Sequence, residues 1–180
     1  MFTIPNLISF IRLLLIPVFV MLLVQDRFAA AGWLLGLIGA TDWIDGYLAR
    51  KLNQVTELGK FLDPLADRLA VGVAVIGGLV TGVLDPWFAI AIIVREALIG
   101  IGALVIGVSA GTKLEVRKIG KLATLLLYMA IAWFYVGRGS PFDPLVVAAW
   151  LAGIPGLILY YLSAFLYLGD ARTIMAASDR

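Results

Sequence analysis

The sequence predicts an all-α integral membrane protein, a bundle of six transmembrane helices. Hydrophobic residues make up 62% of the 180 residues and charged residues only 14%, whereas soluble domains average about 45–50% apolar and about 25% charged residues. The apolar residues also fall into six runs that can cross a bilayer, which takes about 20 residues each. A water-soluble fold cannot bury so much apolar surface, so lipid is the predicted solvent for most of the chain.

The six predicted spans are separated by short polar or Gly/Pro-containing breaks. The first run opens near Pro5, where Thr3 or Asn6 can cap a helix, and Pro17 interrupts it, which allows a short interfacial helix before the first span. No repeat, low-complexity segment or linker is visible, so residues 1–180 are expected to form one domain. The predicted spans are 5–24, 28–50, 58–82, 87–108, 117–137 and 143–168.

Basic residues predict the orientation of the chain in the membrane. They concentrate around the second and fourth breaks, whereas the first, third and fifth breaks hold only Arg27 and Arg138. The positive-inside rule then places the second and fourth breaks, and both termini, in the cytoplasm. We expect a multi-pass protein in the inner or plasma membrane of a prokaryote.

The absence of two residue types narrows the chemistry. The chain contains no cysteine and no histidine, which excludes disulfides, thiolate nucleophiles and every His-dependent catalytic triad. Metal binding and proton transfer must therefore fall to carboxylates, hydroxyls, lysine or arginine.

Four aspartates stand at the predicted cytoplasmic ends of two consecutive spans. Asp42 and Asp45 are three residues apart on the second span, and Asp63 and Asp67 are four apart on the third. Either spacing puts both residues of a pair on one helix face, and the short connection predicts antiparallel neighbours with all four carboxylates converging. Such a cluster needs compensating charge, and an all-oxygen ligand set selects hard ions such as Mg²⁺, Mn²⁺ or Ca²⁺. A single aspartate near a helix end is commonly a cap, but four at these spacings favour a metal site.

Small residues and one arginine accompany the aspartates. Gly46, Ala49 and Gly59 are small enough for a ligand or a neighbouring helix to approach the backbone. Arg50 is a fixed cation suited to bidentate contact with phosphate.

These residues together resemble the signature of the CDP-alcohol phosphatidyltransferase family. The resemblance covers the motif, the chain length and the six spans. It implies a site for one or two Mg²⁺ or Mn²⁺ ions on the four aspartates and a transfer of the phosphatidyl group of CDP-diacylglycerol to an alcohol, with release of CMP. The matching pattern is Asp42-x-x-Asp45-Gly46-x-x-Ala49-Arg50, eight residues, Gly59, three residues, Asp63, three residues and Asp67.

The resemblance also implies roles for individual residues. Gly46, Ala49 and Gly59 would admit the cytidine nucleotide, Arg50 would hold phosphate, and the Thr56 hydroxyl would contact the nucleotide. Because the chain has no histidine, a carboxylate must accept the proton of the acceptor hydroxyl. Asp67 is the predicted base as well as a metal ligand.

A second set of charges suggests where the acceptor binds. Arg95 and Glu96 interrupt the fourth span, either as a structural ion pair or with Arg95 facing a polar acceptor. A basic cluster at the start of the fifth span suits an acceptor that carries its own phosphate, although positive-inside topology alone could account for it. Arg12 and Asn6 are further candidates to line the cavity. The predicted acceptor-binding residues are Arg95, Arg117, Lys118 and Lys121.

The acceptor itself stays open between alternatives. The opening from Ile4 to Arg12 and the Arg95-Glu96 pair resemble phosphatidylglycerophosphate synthases, which favours glycerol 3-phosphate. Ala123 departs from the Gly-Lys-x-Lys-Thr pattern of those enzymes, which leaves room for phosphatidylglycerol, as in a cardiolipin synthase, or for inositol phosphate. A divalent-cation transporter is the alternative from another class. By analogy with the family we expect a homodimer, and the mild net charge of +2 does not suggest a nucleic-acid partner.

Overall fold

The chain folds into α-helices throughout the residues that the structure, a computed structural model, describes. It describes the backbone of residues 4–51, 57–110, 118–138 and 143–178, and the side chains within 7–41, 65–100, 119–138 and 143–166. These ranges form six helices and contain no strand. The helices are α1 (Ile4–Val24), α2 (Phe28–Lys51), α3 (Glu57–Val80), α4 (Pro86–Ala110), α5 (Lys118–Val136) and α6 (Pro144–Ser178).

The helix boundaries agree with the predicted spans to within two residues, except at the end of α6. That helix continues to Ser178, ten residues past the predicted boundary at residue 168. At 1.5 Å per residue, its 35 residues measure about 52 Å, more than the roughly 30 Å hydrocarbon core of a bilayer. The predicted boundary followed hydropathy, which reports where a span leaves the lipid and not where a helix ends.

The predicted interruption at Pro17 is wrong. α1 runs unbroken from Ile4 to Val24 with Pro17 inside it, so no separate interfacial helix precedes the span within the described residues. The fixed backbone angle of proline is compatible with a helix, and the cost is chiefly one lost hydrogen bond and local crowding. Packing of α1 on both α2 and α3 holds the helix across that position.

Three described stretches are long and apolar enough to cross a membrane: Leu7–Val24, Ile119–Val136 and Pro144–Leu166. A shorter apolar stretch covers Phe28–Thr41. Large apolar side chains are exposed on the outside of the bundle, as on a surface that faces lipid. Examples are Val80 at 80%, Leu151 at 72% and Trp33 at 70% exposed.

α5 lies at the centre of the bundle and packs against α2 and α6. The Tyr135 side chain is fully buried and donates a hydrogen bond to the backbone oxygen of Ala74 on α3 at 2.7 Å. Tyr128 donates in the same way to the oxygen of Leu35 on α2 at 2.9 Å. These bonds link the two helices that carry the aspartates to one central helix.

The two ends of the bundle differ in character. Four aromatic rings pack together at the end formed by the α3–α4 and α5–α6 connections. Trp87 and Trp150 are stacked at 5.5 Å, and the contacts of Phe88 and Phe134 are edge to face. Arg138 lies 3.8 Å from the ring centroid of Phe28 at the same end. The described buried charges lie toward the opposite half, where α1 and α3 begin.

Candidate active site

The aspartates of the motif lie on two helices that share α1 as a neighbour. Asp42 and Asp45 fall within α2, and Asp63 and Asp67 within α3, so each pair has the helical spacing that places it on one face. Within the described part of the chain, α1 packs extensively on both helices, and fewer contacts join α2 to α3. The first helix is therefore part of the surroundings of the motif, in addition to the two helices that carry it. The side chains of Asp42, Asp45 and Asp63 lie outside the described side chains.

Asp67 pairs with an arginine from α1. Arg12 donates from Nη1 to Oδ1 of Asp67 at 2.5 Å, a short charge-assisted contact. The Arg12 side chain is 1% exposed and the Asp67 side chain 40%. Ala66 and Ala70, which flank Asp67 on α3, are buried. Asp67 therefore stands at the rim of the α1–α3 interface, with part of its carboxylate accessible from outside the protein.

The buried face of α1 is polar where it meets the site. Ser9 is fully buried one helical turn before Arg12, although both residues belong to an 18-residue stretch with a mean hydropathy of 2.8. The sequence marked Arg12 as a cavity-lining candidate because a charge inside an apolar span is costly. It did not identify Asp67 as the partner, because the two residues are 55 positions apart. Asn6 lies on α1, and its side chain is outside those described.

The donor chemistry fits a hard divalent cation. The four aspartates offer only carboxylate oxygens, the ligands that Mg²⁺ and Mn²⁺ prefer. An ionised carboxylate has about four lone-pair sites, so Asp67 can accept from Arg12 and ligate an ion at the same time. Among the described side chains no three metal-binding groups cluster, and three of the four aspartates lie outside that set.

The predicted nucleotide-contact residues accompany the aspartates on the same helices. Gly46, Ala49 and Arg50 lie within α2, and Gly59 lies within the first turn of α3. Gly46 and Ala49 are four and seven residues from Asp42, on the same helix face. Thr56 lies outside the described residues.

Arg95 occupies a separate buried polar network between α4 and α6. Its Nη1 donates to Oε1 of Glu96 at 2.9 Å, and its Nη2 donates to Oγ of Ser163 at 3.1 Å. The guanidinium carbon lies 3.6 Å from the centroid of the Tyr160 ring, and the Tyr160 hydroxyl donates to the same Glu96 oxygen. The Arg95–Glu96 ion pair, one of the two alternatives that the sequence left open, is present. Tyr160 and Ser163 are the two partners that the sequence gave no signal to find.

The start of α5 lies against this network. A Cβ atom built on Gly120 would stand 3.8 Å from Cβ of Ser163. Lys121 is exposed, and Lys118 is the first residue of α5 with its side chain outside the described set. Arg117 lies outside the described residues. Ala123, the position that departs from the Gly-Lys-x-Lys-Thr pattern, is fully buried in the core.

The described residues define a helical bundle with membrane-spanning stretches, in which Asp67 of the motif pairs with a buried arginine between α1 and α3. The family model for CDP-alcohol phosphatidyltransferase matches residues 2–169. The chain belongs to the CDP-alcohol phosphatidyltransferase family.

Relatives with two different named activities are similar to the chain. A CMP-forming cardiolipin synthase of Streptomyces coelicolor is 31% identical over 97% of this chain and 85% of its own length. A CDP-diacylglycerol–glycerol-3-phosphate 3-phosphatidyltransferase of Bacillus subtilis is 37% identical over 73% of this chain and 76% of its own length. The enzyme of that name from Shigella flexneri is 34% identical over 91% of this chain and 94% of its own length. These findings confirm the predicted class, a transferase of phospholipid biosynthesis, and favour it over a cation transporter.

Proposed function

We propose that the protein transfers the phosphatidyl group of CDP-diacylglycerol to an alcohol acceptor, with glycerol 3-phosphate as the acceptor and CMP as the leaving group. The observation that supports this most directly is the placement of Asp67. A buried arginine holds its carboxylate, yet the Asp67 side chain remains 40% exposed. A group that binds both ions and substrate must be accessible in this way. The family match covers most of the chain and supports the reaction type.

In this proposal Asp42, Asp45, Asp63 and Asp67 would hold one or two divalent ions. A bound ion would supply positive charge to neutralise the charge that develops on the diphosphate oxygens. Arg50 contacts phosphate, and the small residues Gly46, Ala49 and Gly59 leave room for the cytidine, with Thr56 in hydroxyl contact.

Asp67 accepts the proton of the acceptor hydroxyl. The hydroxyl oxygen then forms a bond to the lipid-side phosphorus, and the bond from that phosphorus to the oxygen of the CMP phosphate breaks. The phosphatidyl group ends on the acceptor, and CMP leaves with the bridging oxygen and its electron pair.

In this proposal the acceptor is bound by Arg95 and by the basic residues around the start of α5. Lys121 is exposed at the start of α5, and Gly120 lies against Ser163, a partner of Arg95. A phosphate on the acceptor would be attracted by this cluster. The residues proposed to bind the acceptor are Arg95, Arg117, Lys118 and Lys121.

Phosphatidylglycerol is a second candidate acceptor, supported by Ala123. Because Ala123 is fully buried, a lysine there would add a charge inside the bundle, and its replacement by alanine removes that charge from near the proposed acceptor site. A site with fewer inward charges suits an acceptor whose phosphate is a diester with one negative charge. The relative from Streptomyces coelicolor is named a cardiolipin synthase.

The proposed arrangement in the membrane has all six helices spanning it. Residues 1–180 form one domain, with both termini and the active site cytoplasmic, in the inner or plasma membrane, and two copies form a homodimer. In this proposal α2, α3 and α4 complete the six spans, since Asp67 on α3 and Arg95 and Glu96 on α4 are paired with other side chains and need not meet lipid alone.

Analysis of the lipid product tests the proposal. Purified protein in detergent would receive CDP-diacylglycerol, Mn²⁺ and one acceptor at a time: glycerol 3-phosphate, phosphatidylglycerol or inositol phosphate. Mass spectrometry should find phosphatidylglycerophosphate with the first, and an Asp67→Asn protein should form about 100-fold less or none. Cardiolipin in the second reaction alone would establish the second candidate. If no reaction gave a lipid product and reconstituted vesicles took up Mn²⁺, the proposed transferase activity would be wrong and a cation transporter would be favoured instead.

A further inference from the structure

Arg12 is the most deeply buried charged side chain in the described part of the protein. It is 1% exposed, and it lies in the most apolar of the three candidate spans. Burying a guanidinium is costly unless it is paired and hydrogen-bonded. Such a residue in a membrane helix is by default part of a functional site.

The pairing with Asp67 is asymmetric. The arginine is buried, but the carboxylate that it contacts is 40% exposed and can be solvated from outside. Neutralising Asp67 therefore does not require a buried cation. What a buried arginine adds is a rigid donor, fixed by the packing of α1, that holds the carboxylate in one orientation through the 2.5 Å contact between Nη1 and Oδ1.

We propose that Arg12 is a positioning residue for Asp67, which orients this carboxylate so that it can ligate the divalent ion. The inference rests on the proposed metal site. Groups that orient metal ligands in this way typically contribute 10–100-fold to metal affinity. The contact also ties α1 to α3 at the level of the motif, so that the first helix takes part in forming the site.

The sign of the effect separates this role from simple electrostatics. A cation near a divalent-ion site repels the ion, so deleting its charge should tighten ion binding. If Arg12 positions Asp67, deleting it should weaken ion binding instead, because the ligand loses its orientation. A purely structural ion pair would change stability and leave ion affinity unaltered.

Binding of Mn²⁺ alone, without lipid substrate, tests the proposal. Electron paramagnetic resonance would count free Mn²⁺ in titrations of purified protein in detergent, for the wild type, Arg12→Met, Arg12→Lys and Asp67→Asn. Arg68→Met is the matched control, because Arg68 is the exposed cation next to Asp67. Thermal unfolding in chelator would establish that each variant is folded.

We expect Arg12→Met to weaken Mn²⁺ binding 10–100-fold. Arg12→Lys should recover part of the loss, since it keeps the charge without the planar fork, and it serves as the test if Arg12→Met does not fold. Asp67→Asn should lose binding, and Arg68→Met should bind as the wild type or slightly more tightly. Unchanged or tighter binding by both Arg12 variants, beside a loss in Asp67→Asn, would overturn the positioning role and leave the metal site intact. If the wild type bound no Mn²⁺, both the positioning role of Arg12 and the proposed metal site would be wrong.

Discussion

Two buried arginines in apolar helices, Arg12 and Arg95, each take a carboxylate as partner. Arg12 reaches Asp67 on another helix, whereas Arg95 pairs with its neighbour Glu96 and receives further contacts from α6. The sequence could identify both arginines, since a charge in a membrane helix is energetically costly and usually functional. It could not identify their partners on other helices, because contacts between residues more than 50 positions apart depend on how the helices pack.

The Tyr160 hydroxyl is expected to contribute more to stability than that of its neighbour Tyr161. Tyr160 donates to the Glu96 carboxylate, whereas Tyr161 donates at 2.8 Å to the backbone oxygen of Ala91. Hydrogen bonds to charged groups contribute about 1.5–3 kcal/mol and neutral ones about 0.5–1.5 kcal/mol. Thermal or denaturant unfolding in detergent should therefore find Tyr160→Phe less stable than Tyr161→Phe. Equal losses would mean that the Glu96 contact carries no extra energy.

Lys121 is expected to act on acceptor binding and not on the chemical step. It is exposed at the start of α5, and a contact with an acceptor phosphate would be made equally in the ground state and the transition state. Lys121→Met should raise the KM for glycerol 3-phosphate about tenfold with little change in kcat. The control is Arg27→Met, which removes an exposed cation in the α1–α2 connection and should change neither KM nor kcat. A fall in kcat with unchanged KM would contradict the assignment.

Close packing against α5 positions the part of α2 that precedes the motif. A Cβ atom on Gly32 would stand 2.7 Å from the backbone oxygen of Ala132 and 2.8 Å from the backbone nitrogen of Val136. A Cβ on Gly39 would overlap the Tyr128 ring. Glycine at these positions lets the two helices approach at a distance that no side chain permits. The sequence predicted the extent of α2 well but gave no sign that these glycines face α5.

Replacement of Gly32 by alanine should therefore displace α2. Because the contacted atoms are backbone, neither helix can give way locally, and overpacking of this kind costs about 1–3 kcal/mol. Gly36→Ala is the matched control on the same helix, since nothing lies within 4 Å of its Cβ position, and alanine favours helix by up to about 1 kcal/mol. Unfolding in detergent should find Gly32→Ala destabilised and Gly36→Ala unchanged or stabilised. Equal stability of the two variants would contradict the close packing of α2 against α5 at Gly32.

At the scale of the whole molecule, hydropathy and turn residues were enough to predict six helices and most of their ends. Apolar runs broken at polar or Gly/Pro-containing segments place helix ends to within two residues, apart from α6. Two features were beyond such reasoning. Pro17 is tolerated because α1 is held by two neighbouring helices, and Arg12 of α1 reaches Asp67 of the motif on α3. Each depends on tertiary packing that no local pattern encodes.

We propose that the aspartates of α2 and α3 form one ion-dependent transfer site. The most direct test measures CMP release from CDP-diacylglycerol by purified protein, with the acceptor that yields a lipid product, in chelator and then with Mg²⁺ or Mn²⁺ restored. We expect release to fall to background in chelator, to return with either ion, and to stay at background in an Asp45→Asn protein, because the ions neutralise charge on the diphosphate. CMP release that persists in chelator, or that survives the loss of the Asp45 carboxylate, would contradict the account.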